Sequence, residues 1–146
     1  MLVVLLSFAS LGVLASDWEV IYLDGLAAFQ RGQYEEAEKL WKEVIAEKRT
    51  HHNGERAASD VVHQLAELYV IVGKLDQAER TFKAGINGRE QGPYPNATDL
   101  AQSNHSLGLL YYEQRRFAES QEYLERSLAH WRNGQQTGLT PYAAPT

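Results

Sequence analysis

Residues 107–128 read LGLLYYEQRRFAESQEYLERSL, two amphipathic runs joined by a tight polar link. Leu107, Leu110 and Tyr111 recur at helical intervals in the first run, and the second restarts at Phe117 and carries Leu124 one face further on. Apolar side chains three and four apart give a helix one face to bury. The same arrangement occurs twice upstream. Anchored on the small residues Gly25, Ala66 and Gly108, the copies are 41 and 42 residues apart. Twelve residues beyond each anchor stands Ala37, Ala78 or Ser120, and four further on stands Trp41, Phe82 or Leu124. Two internal spacings kept in three copies mark a repeat, and a repeat must be found before any fold is assigned.

The spacing predicts a helical hairpin in each copy. The first halves carry Val20, Ile21, Leu23 and Ala27, then Val61, Val62, Leu65 and Tyr69, then Leu107, Leu110 and Tyr111. Seven residues past the anchor come Gly32, Gly73 and Arg115, where a chain turning between antiparallel helices needs a positive φ. The second halves restart at Tyr34, Leu75 and Phe117. Small residues at Ala37 and Ala78 let the two helices approach, and Trp41 and Phe82 fill the space one turn later. Helices are expected over about 17–31, 34–48, 56–72, 75–87, 98–114 and 117–131. The link from Arg49 to Arg56 lacks proline and reads as a loop.

These residues resemble the tetratricopeptide repeat, whose pattern is a small anchor, an aromatic, an alanine and a large apolar residue. The second copy matches with Leu65, Ala66, Tyr69, Gly73, Leu75, Ala78 and Phe82, the third with Leu107, Gly108, Tyr111, Phe117 and Leu124, and the first with Gly25, Gly32, Tyr34, Ala37 and Trp41. The basic repeat has 34 residues. The longer period here is similar to the kinesin-light-chain type, whose inter-repeat proline element Pro95-Asn96-Ala97-Thr98 resembles. The resemblance implies an all-α, right-handed superhelical solenoid of three helix-turn-helix repeats, at about 17–50, 56–92 and 97–132, acting as a non-enzymatic scaffold for protein partners.

Departures from the pattern concern the ends of the stack. Asp24 stands where the family has leucine, on a first helix with no preceding repeat to cover it. Ser120 and Ser127 are expected to make the outer face of the last helix more polar. Leu124, Leu128 and Trp131 stay apolar on that helix and are candidates for self-association into a homo-oligomer. From residue 133 to 146 there is no charged side chain, and Gly134, Gly138, Pro141 and Pro145 suggest a flexible tail.

At the other end, residues 1–16 carry no charged side chain, and the apolar stretch is too short to span a bilayer. It suits a secretory signal over residues 1–15, cleaved after Val13-Leu14-Ala15, although no Lys or Arg precedes it. On that reading the mature chain has no membrane span and is secreted or periplasmic; otherwise it is cytoplasmic. The net charge of −5, without a basic run longer than Arg115-Arg116, argues against nucleic acid as a partner. The absence of cysteine removes disulfides, thiolate metal sites and cysteine nucleophiles.

Stacked hairpins curve so that their first helices line a concave groove. Positions three before, one after and four after each anchor should face it: Tyr22, His63 and His105; Leu26, Glu67 and Leu109; Phe29, Val70 and Tyr112. Such a surface suits an extended peptide or an amphipathic helix with apolar anchors. It has no Lys or Arg of the kind with which some members of the family hold a C-terminal carboxylate. His63, Glu67 and His105 could ligate zinc, but structural zinc takes four closed ligands, so no metal or other cofactor is expected. Asp60, Glu67 and His63 share a helix without a positioned nucleophile or a phosphate-cradling loop, so no catalytic residue is assigned. The sequons at Asn96 and Asn104 would matter only in a eukaryotic secretory pathway, and the second falls inside a helix.

Overall fold

A computed structural model describes residues 17–48, 55–92 and 96–138. They form α1 (Asp17–Gln30), α2 (Tyr34–Lys48), α3 (Glu55–Ile71), α4 (Leu75–Gln91), α5 (Ala97–Glu113) and α6 (Phe117–Gly138). The helices pair as three hairpins, α1 with α2, α3 with α4 and α5 with α6. Successive hairpins pack through α2 on α3 and α4 on α5, and α3 also touches α5. The result is an all-α solenoid with the first helices on one side.

Each hairpin turn uses the same hydrogen bonds. Gln33 N–H reaches back to Ala28 C=O, Lys74 to Tyr69 and Arg116 to Tyr111, while Gly32, Gly73 and Arg115 donate to Phe29, Val70 and Tyr112. This pattern satisfies the last carbonyls of a helix by placing one residue in the left-handed region. That residue is Gly32 at φ 74°, Gly73 at φ 75° and Arg115 at φ 60°. The third turn therefore carries a side chain where the other two carry none.

Inside each hairpin the anchor position decides how closely the helices meet. A Cβ on Gly25 would lie 2.4 Å from Trp41 Nε1, and one on Gly108 would lie 2.8 Å from Leu124 Cγ. Trp41, Ala37 and Ala78 are fully buried, as is Phe82 at 1% exposure. The small anchor and the large residue sixteen positions later thus form a lock across the hairpin.

Between hairpins the contact is apolar at its centre and ionic at its edge. Tyr69 donates its hydroxyl to Glu38 at 2.9 Å, and Lys42 and Lys74 donate to the same carboxylate at 2.6 and 3.0 Å. One repeat later Tyr111 donates to Glu79 at 2.9 Å, joined by Lys83 at 2.7 Å and Arg116 at 2.6 Å. Burial raises the Glu38 pKa, but the three donors outweigh it and hold it at about 2. The hydrogen bond from Arg116 dominates at Glu79 and, with Lys83 and Tyr111, holds that carboxyl at about 2 against burial. Neither end of the stack repeats this clasp. The position of Glu38 and Glu79 is Gln121 in the third hairpin, and the Tyr69 and Tyr111 position is Ala28 in the first. Gln33 likewise replaces Lys74 and Arg116, and the exposed Asp24 replaces the buried Leu65 and Leu107.

Four expectations are corrected. Helix α4 continues past 87 to Gln91, and α6 continues past 131 to Gly138. Gly134 does not end α6, because the helix still has α5 beside it: a Cβ there would lie 3.4 Å from Ala97 Cβ. Residues 133–138 are therefore helix, while the rest of the expected tail, 139–146, lies outside the described residues, as do the expected signal over 1–15 and residues 49–54 of the loop expected over 49–56, whose last two residues open α3. Ser120 and Ser127 do not face outward; both are 3% exposed in the α5–α6 seam, where Ser127 Oγ donates to Ala101 C=O at 2.8 Å. Leu124 is half-buried on Gly108, so of the three residues expected to drive self-association only Leu128 and Trp131 are exposed.

Candidate partner-binding surface

The nine side chains expected to face the groove divide into a filled end and an open end. In α1, Tyr22, Leu26 and Phe29 are half-buried and pack on the core. Phe29 meets Tyr34 edge-on at 5.6 Å and Trp41 at 5.7 Å, so little of the ring is left for a ligand. In α3, Val70 also packs on the core. In α5 the equivalent positions are open: His105 is exposed, Leu109 is 44% exposed and Tyr112 is 60% exposed. Tyr112 stacks edge-on with Phe117 at 5.7 Å, repeating the Phe29–Tyr34 contact, and Phe117 is itself 58% exposed. Glu67, level with Leu109 one hairpin earlier, shows 39% of its side chain. The open end is therefore apolar with a carboxylate at its border.

His63 corrects the sequence reading. It is buried at 7% exposure rather than displayed, with its ring edge against Phe82 at 5.6 Å. Its Nδ1 lies 3.2 Å from Ser103 Oγ, and its Nε2 lies 3.7 Å from Glu67. Burial lowers the His63 pKa; Glu67 acts against this, Arg89 adds to it, and Asp60 and Asp99 oppose it. Burial thus favours the neutral imidazole. His105 does not join it, and among the described residues no three such side chains stand together as a metal-holding group.

Arg89 organises this region, and apolar periodicity gave no sign of it. It sits on the turn by which α4 outruns its expected end. Its guanidinium pairs with Asp60 at 2.8 Å, donates to Asp99 C=O at 3.2 Å and donates to Ser103 Oγ. One nearly buried cation, with 9% of its side chain exposed, thus ties α3, α4 and α5 together. The signal available was Ser103, a polar residue at the position of Val61 and Val20. A buried hydroxyl needs a partner, and Arg89 supplies it.

Comparison with known proteins agrees with this geometry. The tetratricopeptide repeat matches residues 55–133 and again residues 25–55. The chain is a helical repeat protein, and it belongs to the tetratricopeptide repeat family, with a long period. Among solved structures it is similar to BtubC (BKLC) from P. vanneervenii, at 18% identity and a TM-score of 0.70, over 81% of this chain and 48% of that one. The chain thus spans about half the length of that neighbour, and the likeness is one of fold. No curated protein matches the sequence. Among the described residues no helix is long and apolar enough to cross a membrane.

Proposed function

We propose that this chain is a non-enzymatic interaction module that holds a peptide segment or helix against the open end of its first-helix face. Tetratricopeptide repeats generally mediate protein–protein contacts and typically lack catalytic activity. The observation that carries the reading is the exposure of Leu109 and Tyr112 on α5, with the exposed Glu67 carboxylate at the position of Leu109 on the neighbouring α3. Apolar anchors give such a site its affinity, and a border charge selects partners by sign. The ligand this suits is a short segment with apolar residues three or four apart and a neighbouring Lys or Arg.

Selection of a displayed random peptide library on the full chain tests it. The expected pool is enriched in aromatic or aliphatic residues next to Lys or Arg. A selected peptide should lose about tenfold in affinity, roughly 1.4 kcal/mol, on Leu109→Ser with Tyr112→Ser, with an unchanged Tm. Selected peptides that bind the double variant as well as wild type would refute the site.

A further inference from the structure

A different surface, the outer stripe of α6, carries a second reading. Four residues after the large residue of each second helix stand Ile45, Ile86 and Leu128. Ile45 packs on the core and Ile86 is 4% exposed, because each belongs to a hairpin with a successor. Leu128 is 54% exposed, with Trp131 at 45% one turn on. The third hairpin therefore presents the apolar position through which hairpins stack, with nothing over it among the described residues.

We infer that a second copy of this chain covers the stripe, α6 against α6 in antiparallel fashion about a twofold axis beside Leu128. A head-to-tail copy would have to reuse the hairpin–hairpin interface. There the first hairpin offers Asp24, Ala28 and Gln33 in place of the leucine, the tyrosine and the cation, and α6 offers Gln121 in place of the glutamate. A twofold pairing avoids both substitutions, since each copy presents the same patch. The charges on the stripe fit that pairing. Glu125 and Arg132 are both exposed, seven residues apart on the face that holds Leu128, on either side of it. Residues seven apart on a helix share a face and are separated by about 10 Å along it. In an antiparallel pair crossing at Leu128, Glu125 of each copy comes level with Arg132 of the other, twice by symmetry. Within one chain Glu125 accepts from Gln121 at 2.8 Å, and Arg132 forms no ion pair with a described residue. The ends of the stripe are thus self-complementary in charge and its centre in apolarity. A parallel pair would instead set Glu125 against Glu125.

Sedimentation velocity of the full chain over a concentration series tests the arrangement. Wild type should sediment as a dimer at tens of micromolar, and Leu128→Glu as a monomer with unchanged helical content. Glu125→Arg alone and Arg132→Glu alone should each weaken the dimer at least tenfold, because each sets like charges together. The double variant Glu125→Arg with Arg132→Glu should restore it. A monomeric wild type would overturn the inference, including one whose residues 139–146 cover Leu128 themselves. So would a dimer indifferent to Leu128→Glu, or single charge variants that the double does not rescue. Peptide selection at Leu109 and Tyr112 reports on the other face, so the two readings fail separately.

Discussion

Tyr111 donates its hydroxyl to the carboxylate of Glu79 at 2.9 Å, tying the third hairpin to the second. Its counterpart one repeat earlier is the bond from Tyr69 to Glu38. Both carboxyls sit at about 2 in the fold, against an ordinary value of 4.5. A carboxyl whose pKa is depressed on folding contributes stability that is complete above its unfolded value and is lost as the pH falls toward the folded one. The wild-type Tm should therefore fall chiefly between about pH 4.5 and 2. Glu79→Gln should cost about 2 kcal/mol at pH 6, the worth of hydrogen bonds to a charged group, and should flatten the acid limb. Thermal melts across that range decide it, and an acid limb parallel to wild type would place the loss at other carboxylates.

His63 predicts a separate, milder step. Its folded pKa lies below the ordinary 6.5 because the ring is buried, so the neutral imidazole is the form the fold accepts. Stability from this group is present above about pH 6.5 and declines as the pH falls below it. His63→Gln should lower the Tm at pH 7 and remove the decline that sets in below pH 6.5, leaving the carboxylate step intact. An imidazole proton resonance that titrates at or above 6.5 would contradict this.

Arg115 holds a positive φ where the other two turns use glycine. An L-residue in the left-handed region costs about 1 kcal/mol relative to one where it is relaxed. Arg115→Gly should raise stability by about 0.5–1 kcal/mol after the loss of chain entropy in the unfolded state. Gly73→Ala should lower it by a similar amount. Urea midpoints measure both, and the two signs must be opposite.

The two glycine anchors should differ in their tolerance of a methyl group. At Gly25 the new atom meets the rigid, fully buried indole of Trp41 at 2.4 Å, whereas at Gly108 it meets the half-buried Leu124 at 2.8 Å from Cγ and 3.3 Å from the backbone N, a looser fit. Gly25→Ala should cost about 3 kcal/mol and Gly108→Ala about 1, within the range for overpacking. Trp41 fluorescence should shift in the first variant and not in the second.

The helical hairpins were legible because the spacing from anchor to turn to large residue is a geometric necessity of two packed helices. Gly25 with Trp41 and Gly108 with Leu124 each spell it out in side-chain size. The polar half of the architecture was less legible. Ser127 looked solvated because a serine on an amphipathic helix usually is; its bond to the Ala101 carbonyl depends on the neighbouring helix. His63 looked like a groove residue because its polar partners include Ser103 and, through it, Arg89 on the turn of α4 beyond the expected end at 87. The Glu38–Tyr69 and Glu79–Tyr111 pairs recur at near-identical separations, but across hairpin boundaries. Periodicity within one helix cannot register such a pair.

The clasps also set which part of the chain opens last. Both meet at the middle hairpin, which gives Tyr69 to one and Glu79 to the other, and Arg89 adds a third tie from the same hairpin to α5. Among the described residues of one chain, the flanking hairpins are each held from one side. In a repeat stack, stability is nearly a sum over neighbours, so in the monomer, at concentrations below dimer formation, local opening should begin at α1 and α6 and run inward. Backbone amides of α3 and α4 should be the last to exchange with deuterated solvent, giving a protection profile that peaks at the centre of the sequence.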